Sequence, residues 1–138
     1  MLAKLPIAVA LRLGLFDRWL ALQDPKRLCK RLQLDGYEHL VASDDSDGPL
    51  QLAVSPKGPW QAVLWTVAYY RGPIAVRLPS GADRSIAGLH ELGVTASRGE
   101  APRGEASRLA IVGENGEGLL RGAATVEGKG LRVRFTPA

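Results

Sequence analysis

The sequence predicts an α+β fold: N-terminal helices and a central aromatic-rich helix packed on a small, mostly antiparallel C-terminal sheet. Three observations lead there. Apolar residues recur at intervals of three and four from Pro6 to Leu22, the spacing of helical faces. The stretch Trp60 to Tyr70 holds half of all the aromatics in the chain, and large aromatics dominate the apolar area a core can bury. After residue 107, apolar residues alternate with polar ones between glycine clusters, as half-buried strands do. The 138 residues suit one domain, large enough to bury roughly 65 to 70% of the unfolded surface. Within it, 1–72 reads as mainly helical and 73–138 as mainly β, with a mobile loop near 96–107.

Val9, Leu13, Phe16 and Leu20, flanked by Leu15, Trp19 and Leu22, make the first helical face, and Gly14 predicts a break within it. Asp24-Pro25 predicts a helix start, since aspartate accepts at an N-cap and proline fits the first helical position. That helix is expected to run to about Gln33, with Leu28, Cys29 and Leu32 inward and Lys26, Arg27, Lys30 and Arg31 as a basic stripe. Tyr37, Leu40 and Val41 suggest a further turn or two.

Leu50, Leu52 and Val54 alternate like a strand, although so short a segment also fits a helical turn, and the choice stays open. Trp60 to Tyr70 reads as a helix apolar nearly all round. Its length between Pro59 and Gly72 exceeds a typical strand, despite the strand preference of Val, Trp, Thr and Tyr. Ile74, Val76 and Leu78 predict a strand. Ile86, Leu89 and Leu92 predict a short helix closed by Gly93. Residues 97–107, with Arg-Gly-Glu-Ala twice and no apolar periodicity, predict the loop. A meander follows: Arg108 to Val112, Leu119 to Val126 and Leu131 to Thr136, joined by glycine-rich turns at 113–118 and 127–130. Leu131, Val133 and Phe135 should face inward. Arg132 and Arg134 should face outward, with Arg121 and Arg108 sharing that face if the register permits.

The composition, 46% hydrophobic and 23% charged, is that of an ordinary globular protein. Residues 1–48 hold 7 Lys/Arg against 7 Asp/Glu and residues 49–138 hold 11 against 7, so the whole +4 excess lies in the second part. Such a balance speaks to solubility and nonspecific binding. One cysteine, Cys29, forms no intramolecular bridge and suits a reducing compartment, so the cytoplasm is the expected location. Lys4 ahead of Leu5 to Leu11 imitates a leader, but Pro6 and Arg12 confine the apolar run. No apolar run is long enough for a membrane span.

Recognisable chemistry is sparse. Asp44, Asp45 and Asp47 before Gly48 resemble the start of a calcium loop, but that alignment puts Val54 where a bidentate glutamate must close the cage. Gly116 and Gly118 give only part of a dinucleotide fingerprint, with no room for the rest. Cys29 reads as a core residue, and Ser80 lacks the glycine of a nucleophile elbow. His90-Glu91 lacks a second histidine four residues on, and His39 is remote in sequence, so no zinc set is apparent.

No catalytic residue, metal ligand or cofactor is therefore nominated. The expectation is a non-enzymatic accessory or adaptor protein of bacterial type, acting through a protein partner or self-association. Its candidate interaction surface comprises Lys26, Arg27, Lys30, Arg31, Trp60, Tyr70, Arg121, Arg132 and Arg134, because interfaces favour tryptophan, tyrosine and arginine. The alternatives are nucleic-acid binding on the basic residues and a small enzyme built around His39, His90 and Glu91.

Overall fold

The computed structural model describes residues 2–45, 49–79, 83–96, 108–113 and 119–137. The loop expected over 97–107 and most of the glycine-rich turn at 113–118 lie outside them, as do Asp47 and Gly48 of the acidic turn.

After a 3-10 turn at Leu2–Lys4, helices α1 (Ile7–Arg12) and α2 (Phe16–Leu22) are separated at Gly14, where the break was expected. Helix α3 (Pro25–Lys30) has Asp24 at its N-cap and Pro25 in its first turn. The Asp24 carboxylate makes no capping bond and stands 3.9 Å from Arg27 instead. The helix stops short of Gln33. Leu131 donates its N–H to the Arg31 carbonyl, and the chain turns into strand β1 (Leu32–Asp35), paired with β7 (Gly130–Thr136). Backbone pairing with the sequence-distant strand β7 overrides the local helical pattern.

Gly36 makes the turn into α4 (Tyr37–Asp44). Its φ is +73°, and a Cβ there would overlap the Phe135 carbonyl oxygen, so both backbone conformation and space demand glycine. Strand β2 (Leu50–Val54) resolves the open assignment, and α5 (Gln61–Tyr70) is helical as expected. Strand β3 (Ile74–Arg77), a 3-10 segment (Asp83–Leu92) and strand β4 (Val94–Ala96) follow, then β5 (Arg108–Val112), β6 (Leu120–Glu127) and β7. Ile86, Leu89 and Leu92 are spaced by three, the repeat of a 3-10 helix, and Ile86 and Leu89 are buried.

Among the described residues the strands form one seven-stranded sheet in the order β1-β7-β6-β2-β5-β3-β4. The fold is α+β overall, but the sheet is mostly parallel and neither small nor C-terminal. Only β6 and β7 pair antiparallel, as a hairpin over Gly128-Lys129. The expected meander does not form, because β5 and β6 do not pair with each other. Both flank β2 and run parallel to it, Leu52 standing beside Ala110 on one side and Leu120 on the other. With β2 left open in the sequence, β5 and β6 had only each other as neighbours, and the glycines between them imitated a hairpin.

The described helices that touch the sheet share the face holding Leu52, Val76, Ala110, Val133 and Phe135. Residues 61–67 of α5 are all buried, between the sheet and the layer of α2 with the 3-10 segment. A helix enclosed in this way needs no polar face. Gly122 allows its close approach: a Cβ there would come within 2.7 Å of Val63 Cγ1. Asp17, buried on α2, accepts the Gly88 N–H at 2.8 Å and ties the outer layer together.

Candidate interaction surface

The aromatic block does more than fill the core. Trp65, buried on α5, stacks on Tyr69 with ring centroids 4.9 Å apart, Tyr69 meets the edge of Tyr70 at 5.0 Å, and Tyr70 meets Tyr37 of α4 at 5.6 Å. The four rings run from the interior to solvent, where Tyr69 is 46% and Tyr70 37% exposed. The Tyr70 hydroxyl donates to Cys29 Sγ at 3.2 Å. That bond, followed by burial and the neighbouring Cys29 and tyrosines, raises its pKa to about 12. The bond also docks the end of α5 on α3, whose Lys26, Arg27 and Lys30 are exposed. Cys29 is half-buried, less enclosed than its expected core position.

Beneath this surface lies a clamp. Asp44, at the C-terminal end of α4, accepts from Arg108 Nε and Arg71 Nε at 2.7 Å each, and Arg71 also reaches Asp45. A carboxylate at the negative end of a helix dipole is unfavourable alone. Burial pushes the Asp44 carboxyl up, but the hydrogen bonds and charges of Arg108 and Arg71 outweigh it, so its pKa ends below the usual value. Asp44 in turn raises the Arg71 pKa through their hydrogen bond, against burial, with Tyr37 as a further partner. The clamp joins α4, α5 and the start of β5, and so fixes Tyr37 relative to Tyr70.

The other nominated residues are dispersed. Arg31 donates to the Lys129 carbonyl and lies 5.8 Å from the Trp19 ring, an intramolecular engagement. Trp60 is half-buried at the opposite end of α5 from Tyr70, about 15 Å away at the rise of a ten-residue helix. Arg121, Arg132 and Arg134 share the sheet face away from the described helices, as the alternation predicted. Arg108 does not join them: it pairs with Leu50 on the helical side and is held by Asp44. Asp35 and Glu127 neutralise Arg132, and Asp35 lies 3.5 Å from Arg134.

His39 sits beside Glu38 on α4, and His90, on the 3-10 segment, lines a shallow pocket of about 250 Å³ with Ile86, Ala87, Val94 and Ala96, a lining that includes neither Glu91 nor His39. Among the described residues no group of three or more His, Cys, Asp or Glu is placed to hold a metal ion, and no helix is long and apolar enough to cross a membrane. Sequence reasoning missed Tyr69, Tyr37 and the clamp. Tyr69 follows Trp65 by one helical turn and shares its face; Tyr37, on α4, and the clamp partners are too far off in sequence to signal.

No protein-family model matches the chain, and no curated protein matches it.

Proposed function

We propose that this protein is a non-enzymatic accessory protein that acts in the cytoplasm by binding another protein, and that the partner contributes an acidic segment. The observation that carries this reading is the aromatic ladder ending in exposed Tyr69 and Tyr70 beside the basic face of α3. Rigid aromatics offer large contact area at low entropic cost, and Lys26, Arg27 and Lys30 supply complementary charge around them. The stacked rings and the Asp44 clamp hold the tyrosines in place before a partner arrives, which lowers the ordering cost of association.

The test is capture from extracts of the source organism, with nuclease, comparing the wild type with Lys26→Glu/Lys30→Glu and with Arg121→Glu. The expected result is a near-stoichiometric protein with an acidic segment, retained by Arg121→Glu and lost by the double variant. A bound set that is identical for all three, or that disappears on nuclease treatment, overturns it. The latter outcome would favour nucleic-acid binding on the sheet arginines.

A further inference from the structure

On the sheet face away from the described helices, the register builds a row across three strands. Thr136 of β7 stands opposite Arg121 of β6, and Arg121 stands beside Ala53 of β2. The next outward residue on β6 is Ala123. The small side chains of Ala53 and Ala123, with Gly122 between Arg121 and Ala123, leave a hollow beside Arg121 and Thr136. The loop following β2, Ser55-Pro56-Lys57, walls it on one side, and Gly113 at the end of β5 closes another. The resulting cleft has a volume of about 440 Å³, within the range of small-molecule sites.

Its position follows from topology. It lies outside the carboxyl end of β2, where the chain departs through α5 toward β3 on one side, while β5 and β6 enter as neighbours on the two flanks. Among the described residues the lining holds Lys57 and Arg121 and no carboxylate. Arg121 contrasts with Arg132, which shares its face but is neutralised by Asp35 and Glu127.

We propose that this cleft binds a small phosphate monoester. Lys57 and Arg121 supply two positive charges, matching a dianion, and the Ser55 and Thr136 hydroxyls add donors for a tetrahedral group with more acceptor positions than a planar carboxylate. Lysine serves as a point charge and arginine as a bidentate fork. The floor of Ala53 and Ala123, with Pro56 on the wall, leaves apolar room for the body of the ester beyond the phosphate. This site is independent of the tyrosine surface, which belongs to the helical side of the sheet.

The test is a titration of the ¹⁵N-labelled full chain, followed by amide chemical shifts, with inorganic phosphate, AMP as a probe monoester, and adenosine as the same body without phosphate. Saturable shifts are expected at residues 53–55, 57, 113, 121–123 and 136 with AMP and phosphate, AMP binding the more tightly, and none with adenosine. Lys57→Ala and Arg121→Ala should each weaken AMP by about tenfold, the loss of one charge-assisted contact. Ala123→Leu, which fills the floor and leaves the charges, should weaken AMP and spare inorganic phosphate. The proposal is overturned if no saturable shift develops, if the shifts centre on Lys26 and Lys30, or if binding persists in the two charge variants.

Discussion

At the scale of single residues, Asp44 shows how a carboxylate in an unfavourable place becomes a fixed point. Two guanidiniums hold it, and removing it would take from Arg108 its carboxylate partner and leave Arg71 with the exposed Asp45, both at partly buried positions. Asp44→Asn should therefore cost about 3 kcal/mol at neutral pH, the scale for breaking a buried ion pair. Folding lowers the Asp44 pKa from its ordinary 3.8, so the unfolded chain takes up the proton more readily. The clamp contributes fully above that value and is lost as pH falls through the lower folded value. Urea midpoints of wild type and variant should accordingly differ most near pH 7 and converge at strongly acidic pH; a gap independent of pH would show that Asp44 is not the titrating group. The outward set Arg121, Arg132 and Arg134 was legible because strand alternation is local. The clamp was not, since Arg108 and Asp44 meet only after the sheet has formed.

At the scale of elements, the chain specifies what lies within one element and underspecifies what two elements decide together. The Gly14 break, the helical aromatic block and the β6–β7 hairpin were all legible. The end of α3 was misplaced because β7 claims the Arg31 carbonyl, an interaction with no local trace. The 3-10 segment was read as an ordinary helix, although its apolar spacing of three was visible. Asp17 is the element-scale device that fastens this segment to α2. Asp17→Ala should strand the part-buried Gly88 N–H and destabilise the fold by about 1 to 2 kcal/mol. Hydrogen exchange should show the loss concentrated in residues 83–92. Uniform loss throughout the molecule, with no local opening, would instead mean that the tie has no separate role.

At the scale of the molecule, the direction of the strands was the largest thing sequence reasoning missed. Parallel pairing depends on long crossovers such as 55–73, and those were legible only once β2 was accepted as a strand. The position of β2 also decides which residues surround the cleft, so the site and the topology were missed for the same reason. Among the described strands, β1 pairs only with β7, and both neighbours of β2 come from residues 108–127. The order in which a ribosome delivers the chain therefore runs against the order in which the sheet can close. Two early strands emerge long before the segments that cover their edges, and contacts of such sequence separation fold slowly. Nascent chains arrested before residue 108 should be degraded readily by protease, and protection should arrive only with β7 outside the exit tunnel. Protection of the N-terminal half on its own would contradict this. Strand β7 thus acts as the latch of the molecule, joining β1 to β6, and truncation even a few residues before Gly130 should leave a product recognised by chaperones rather than a slightly shortened protein.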